Sequence, residues 1–213
     1  MVADSLRLPG PGVTHGAVDV SVVIAGLEQG AFLVRSIRSA LAQTFPGRFH
    51  EVVVADAGST DFSREIMSAY GDRIVPVLLD AGSTLGQALW AGIRRACGRY
   101  VVPMRAQDFI SDYTILFQAI WLFQNGSFDG VRVDYFLVEP GSDTKAERIS
   151  AAERPAHTGT MFRKEVFAQE GLYRPVEPEP SPETICRRLE SSRRVGHIPI
   201  PFYRYQKGSS DGA

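Results

Sequence analysis

Four stretches of this chain carry side chains whose type and spacing can do chemistry. The first is Glu51-Val-Val-Val-Ala-Asp56-Ala-Gly-Ser-Thr-Asp61, in which a β-branched apolar run stops at a carboxylate, turns over small residues and reaches three good N-cap residues. Gly58 permits a tight turn. A polar side chain at the carboxyl end of a buried parallel strand faces the crevice where open α/β sheets bind ligands. Asp56 therefore reads either as a ligand contact or as the brace of its own turn, because Asp is common in turns. The second stretch, Arg105-Ala-Gln-Asp108, is a polar loop at the carboxyl end of another strand. The third is Glu183, a first-turn helix carboxylate favourable to the helix dipole, preceded by Glu177 and Glu179 in a proline-rich loop. The fourth is His157, a lone histidine. The two cysteines, Cys97 and Cys186, form no C-x-x-C, and no histidine stands at metal-ligand spacing. Both fall in predicted helices and read as small core or half-buried residues of a reducing cytosol.

The elements that must position these residues follow from hydrophobic period. Strands are predicted at 19–25, 51–55, 73–79 and 100–104. Between them lie helices at 31–43, at 85–97 and along Phe62, Ile66 and Tyr70, with Gly71 closing the last of these. Such alternation demands parallel strands with right-handed crossovers, an α/β fold. The second half is less regular. Ser111 is expected to cap a helix running to Gln124. A strand with one wetter face, carrying Arg132 and Asp134, is expected around Val131–Leu137. Residues 139–157 are polar and hold a short hairpin or a loop. A short strand at 160–162, a short helix at 163–170, a surface loop at 174–182 and a helix at 183–192 follow. Two edge-type pieces, Val195–Pro199 and Pro201–Tyr205, complete the order.

Composition bounds the function. The 213 residues suit one domain, and the hydrophobic and charged fractions of 44% and 22% are those of an ordinary globular protein. The net charge of −1 lacks the basic excess of a nucleic-acid protein. The arginines at 187, 188, 193 and 194 read as a solvated face, with a phosphate or lipid headgroup contact as the alternative. There is no apolar run of about 18 residues and no signal-peptide pattern, so a cytoplasmic protein is expected. Residues 1–17 and 207–213 read as tails around a single domain at 18–206.

The order of motifs resembles the inverting family-2 glycosyltransferases, which have a GT-A fold and use nucleotide-diphosphate sugars. The resemblance runs over roughly 19–206. It rests on Val20-Ser-Val-Val-Ile24, Ser36-Ile-Arg-Ser-Ala-Leu-Ala-Gln-Thr-Phe-Pro46, Asp56 with Gly58-Ser-Thr-Asp61, Ala91-Gly-Ile93 with Gly98-Arg-Tyr100, His157-Thr-Gly-Thr-Met-Phe-Arg163, Gly171-Leu172 and Ile198-Pro-Ile-Pro-Phe-Tyr-Arg-Tyr205. It implies a mixed, mostly parallel central sheet flanked by helices, with a nucleotide-binding half at 18–108 and an acceptor-binding half at 109–206. In the family the first strand ends in Pro-Thr-Tyr-Asn or similar, which touches the base; Ala25, Gly26, Leu27 and Glu28 stand there. Of the paired Asp after the second strand, Asp56 remains as the base contact and Ala57 replaces the second. Leu89 and Trp90 occupy positions that often carry a basic residue and Asn near the diphosphate, and they read as core packing.

The family's Asp-x-Asp-Asp pattern aligns with Arg105-Ala-Gln-Asp108. This implies Asp108 as the ligand of a divalent Mn or Mg ion, or Arg105 as a bidentate contact to the diphosphate. The acidic pair that supplies the catalytic base aligns with Ser181-Pro182, so Glu183 is the implied base, with Glu177 and Glu179 nearby. His157 is implied to face the site, toward phosphate, metal or acceptor. The implied partners are a UDP, GDP or dTDP sugar and a glycan or lipid-linked acceptor, with peripheral association at the inner face of a membrane. The loss of paired acids also fits a catalytically inactive GT-A module that binds nucleotide, glycan or a protein. A sugar nucleotidyltransferase would need a Gly-rich loop ending in Arg after the first strand, and Ala25-Gly-Leu-Glu-Gln-Gly30 has none.

Overall fold

The computed structural model describes residues 18–45, 50–139, 146–168 and 181–207. The predicted tails, except Lys207, lie outside the described residues, as do Glu177, Glu179 and most of the loop at 174–182. The first half follows the predicted alternation. Strands β1 (Val20–Gly26), β2 (His50–Asp56), β3 (Val75–Leu78) and β4 (Tyr100–Arg105) are parallel neighbours in the order β3-β2-β1-β4. They are connected by helices α1 (Gly30–Leu41), α2 (Ser63–Tyr70) and α3 (Leu85–Arg95).

Both faces of β1, β2 and β4 are buried, which is why they read as continuous β-branched runs, whereas β3 at the sheet edge alternates half-buried and exposed residues. Val22, Ile24, Val52, Val54 and Val102 face one core with Leu33 and Ile37 of α1 and Met67 of α2. Val23, Val53, Ala55 and Val101 face another with Leu89 and Ile93 of α3. Leu89 is fully buried and Trp90 packs against the same core, as their reading as packing residues expects. Thr84 caps α3 in a reciprocal capping box with Gln87.

The second half adds β5 (Phe109–Ile110), α4 (Thr114–Gln124), β6 (Gly130–Val138), β7 (Ala146–Ile149), β8 (Met161–Arg163), α5 (Pro182–Ser192) and β9 (Val195–Gln206). They extend the same sheet as β4-β8-β6-β9-β5, with β7 paired to β6. Strands β5, β7 and β8 run against the others, so the sheet is mixed but mostly parallel. Helix α4 joins the core of α1, and Ile185 and Leu189 of α5 join the core of α3. Among the described residues no helix is long and apolar enough to cross a membrane.

Several expectations are corrected. Ser111 does not cap α4; Tyr113 is the N-cap, in the left-handed region at φ 67° and with no side-chain cap. Phe62 is the N-cap of α2 and 57% exposed rather than part of its apolar face. The third strand is shorter than 73–79 because a 3-10 turn occupies Gly71–Arg73. The two edge-type pieces at the C-terminus are one interior strand, β9, between β6 and β5; register shifts at Val133, Asp134 and Tyr135 of β6 absorb the prolines, which cannot donate to a ladder. Asp134 is not on a wet face: it is buried and accepts from His197 Nε2 at 2.7 Å, Ala151 N at 2.9 Å and Arg148 Nη2 at 3.2 Å. Cys97 lies beyond the end of α3 and is exposed, whereas Cys186 is buried in α5. Burial, with Glu190 and Glu183 nearby, pushes the Cys186 thiol well up.

Candidate functional site

The carboxyl ends of β1, β2 and β4 lie side by side, and their loops build two connected clusters. The first gathers the residues aligned with base contacts. Asp56 ends β2, is 3% exposed, and accepts from the backbone N–H of Gly58 at 3.2 Å and of Ser59 at 3.1 Å. Arg64 of α2 donates its Nε to Asp56 Oδ2 at 2.8 Å and its Nη2 to Leu79 O at 2.6 Å. Glu28 follows β1 in the left-handed region at φ 54°. Its carboxylate accepts from Thr60 N at 2.7 Å, Thr60 Oγ1 at 3.1 Å and Asp61 N at 3.1 Å. Its own N–H donates to Ser59 Oγ at 2.9 Å, and Gly30 N donates to Asp61 Oδ2 at 2.9 Å. The loops after β1 and β2 are thus fastened to each other. Ala25 is buried, and Leu27 packs against the α3 core.

The second cluster starts one strand over, joined to the first by the Ala106 N–H to Ala25 O bond at 2.8 Å. Arg105 ends β4 and forks onto Asp108, Nε to Oδ2 and Nη2 to Oδ1, both at 2.8 Å. Gln206 N donates to Asp108 Oδ1 at 2.9 Å, and the Tyr203 hydroxyl donates to Oδ2 at 2.5 Å. Arg105 also donates to Gln206 O at 2.8 Å and stacks on the Tyr205 ring at 3.7 Å from its centroid. Burial opposes the Arg105 charge, but Asp108 outweighs it and raises the guanidinium above its ordinary pKa. Burial, reinforced by Asp108, likewise raises the Tyr203 phenol. The remaining nitrogen, Nη1, lies 3.4 Å from Glu183 Oε1.

Glu183 is placed by the start of α5, where Ser181 accepts from Thr184 N and Pro182 occupies the first turn. Seven residues on, Glu190 is 6% exposed along its side chain. It accepts from His157 Nδ1 at 2.9 Å and Thr160 Oγ1 at 2.7 Å. A carboxylate only accepts, so Nδ1 carries the proton and Nε2 is the ring's other functional atom. His157 sits at φ 65°, a costly conformation for a side chain of its kind and one that recurs at functional sites. Glu183 and His157 line one cavity of about 460 Å³ with Tyr135, Arg154, Tyr205 and Lys207, a volume in the range of small-ligand sites.

The structure therefore brings Arg105, Asp108 and Glu183 into one network and His157 into the same cavity, with Glu28 and Asp56 in the adjoining cluster. The divalent ion expected at Asp108 does not fit this arrangement. The carboxylate is fully buried, and its four lone-pair positions are taken by Arg105 twice, Gln206 N and Tyr203. Among the described residues no group of three or more His, Cys, Asp or Glu is arranged to hold a metal ion. Tyr203, Tyr205, Gln206 and Glu190 were missed by sequence reasoning. A signal existed: Tyr203 and Tyr205 are two apart on one strand, and Glu183 and Glu190 seven apart on one helix, so each pair shares a face.

The model of the family described as glycosyl transferase family 2 matches residues 21–171. The chain belongs to glycosyl transferase family 2. An uncharacterised glycosyltransferase of Nostoc sp. is 30% identical over 135 residues, 62% of this chain and 40% of that protein. The succinoglycan biosynthesis protein ExoO of Rhizobium meliloti is 37% identical over 93 residues, 43% of this chain and 26% of ExoO. Among solved structures, S. aureus TarS 1–349 in complex with UDP-GlcNAc superposes with a TM-score of 0.70 at 17% identity, covering 91% of this chain and 60% of that one. The same protein in complex with UDP gives a TM-score of 0.69 at 16% identity, over 91% and 62%. These likenesses establish the α/β GT-A fold. The chain spans 40% or less of the length of these curated relatives. Within this glycosyl transferase family 2 fold, the cavity is lined by residues from Tyr135 onward, and two of them, Glu183 and Tyr205, contact Arg105 at the carboxyl end of β4.

Proposed function

We propose that this chain transfers a hexosyl-type sugar from a nucleoside-diphosphate donor to a hydroxyl acceptor, a glycan or a lipid-linked one, with inversion at the anomeric carbon. The observation that carries this reading is the cavity shared by Glu183 and His157, with Arg105 against Glu183. The acceptor oxygen attacks the anomeric carbon from the face opposite the diphosphate. The carbon–oxygen bond to the β-phosphate breaks, its electron pair leaves with the nucleoside diphosphate, and the acceptor proton passes to the Glu183 carboxylate. Arg105 offers its Nη1 to the leaving oxygens, and His157 Nε2 accepts from the acceptor hydroxyl or, in the imidazolium form, donates to phosphate. Leu27 gives the base an apolar contact, and Glu28 and Asp56 give it acceptors; Ala25, buried in the α3 core, supports the strand end beneath them. The likeness to TarS, solved with UDP and UDP-GlcNAc, favours a uridine donor first, and a similar validoxylamine A glucosyltransferase of Streptomyces hygroscopicus favours a hexose.

The test is donor hydrolysis and transfer with UDP, GDP and dTDP sugars. Glu183→Gln lowers kcat by at least about 100-fold while the melting temperature stays close to that of the wild type. Unchanged turnover removes Glu183 from the role. A second reading, a module that binds a nucleotide or glycan without turning it over, is favoured by the fastening of Glu28 to Thr60 and Asp61 across the base side. Nucleotide binding with no turnover of any donor selects it.

A further inference from the structure

The family resemblance assigns the charge of the leaving diphosphate to a divalent ion on the carboxylate that follows β4. Here that carboxylate is Asp108, and it already holds a cation. Arg105 contacts both of its oxygens at 2.8 Å, and Gln206 N and the Tyr203 hydroxyl complete the set. A metal ion would have to displace a buried donor and then sit beside a guanidinium that the stack on Tyr205 and the bond to Gln206 O keep in place. The same fork leaves one Arg105 nitrogen, Nη1, on the side of Glu183 and Tyr205, both of which line the cavity. The cavity itself is lined by three basic side chains, Arg154, His157 and Lys207, and Arg105 adjoins it through Glu183 and Tyr205. Lys207 is paired with Glu139, but both side chains are well exposed and the pair can exchange.

We propose that the phosphates of the ligand are held at this cavity by the chain's own basic side chains, with Arg105 in place of a divalent ion and Arg154, Lys207 and the His157 ring completing the shell. The proposal rests on the donor reading above and specifies how that site takes its anion. A phosphate oxygen takes Nη1 of Arg105 from Glu183. Phosphate binding thereby frees the Glu183 carboxylate from its ion pair on the wall of the same cavity. Asp108 serves as the positioning residue that holds the guanidinium in the plane needed for that contact.

The experiment is calorimetric binding of UDP, GDP, dTDP and inorganic pyrophosphate to the whole chain, each in Mn²⁺ and in EDTA. Expected is one affinity, equal within about twofold in the two buffers, and at least about tenfold weaker in Arg105→Gln. Arg154→Gln, on an exposed residue, weakens binding by about threefold with normal melting. It therefore keeps the test valid even where Arg105→Gln does not fold. A strict requirement for Mn²⁺ overturns the proposal and leaves the donor reading standing. Pyrophosphate bound in EDTA without any nucleotide supports the proposal and removes the donor reading. Absence of binding by all four probes in both buffers overturns both.

Discussion

Asp56 holds its place by three backbone and side-chain donors rather than by one partner. Its ion pair with Arg64 involves a side chain that is 40% exposed, so solvent screens that component. The bonds to Gly58 and Ser59 are buried and tie down the turn that also fastens the loop after β1. Asp56→Ala is therefore expected to cost about 2 kcal/mol of stability, because it leaves buried N–H groups without acceptors. Arg64→Met is expected to cost less than about 1 kcal/mol. Urea denaturation of the two variants reads the difference. Equal costs would mean that the ion pair, not the turn, is what Asp56 provides. At this scale the sequence showed which residues stand at strand ends but not what they touch. Asp108 and Tyr203 are 95 residues apart, and no local pattern announces that a phenol will saturate a carboxylate.

At the scale of elements, the pairing of β6 with β9 and β7 is pinned by Asp134, which reaches His197 on β9, Arg148 on β7 and the N–H of Ala151. Burial acts to raise this carboxyl, but His197, Ala151 and Arg148 outweigh it and hold its pKa below the usual carboxylate range. A group depressed in the folded state adds stability above its unfolded pKa, near 4, and loses it as the pH falls through the lower folded value. Stability is thus expected to decline from about pH 4 downward, and Asp134→Asn to flatten that acid limb. Denaturant midpoints measured between neutral pH and pH 3 check it. An unchanged acid slope in the variant would assign the decline to other carboxylates.

The same elements show where legibility ended. Strands β1, β2 and β4 were readable because burial on both faces imposes unbroken β-branched runs. Strand β9 was not, because Pro199 and Pro201 look like breaks unless the bulged register of β6 is known. Nor was the N-terminus of α4, because Tyr113 supplies a backbone turn where a capping side chain was expected.

For the whole molecule, both halves share one sheet, and short β8 stitches them, pairing with β4 at Tyr100 and Val101 and with β6 at Gly130 and Val131. Phe162 of β8 is fully buried and packs edge-on against Phe167, so the seam is also part of the core. Such a join favours a single cooperative transition over separate melting of two lobes. The two cysteines turn this into a clock. Cys97 stands in solvent at the end of α3, while Cys186 lies inside α5 with its thiol held in the unreactive form. A thiol-specific chromophore is expected to release one equivalent quickly from the native chain and the second only as fast as the molecule opens. The slow phase then reports global unfolding under native conditions, without denaturant. Two fast equivalents would mean that α5 detaches from the sheet on its own.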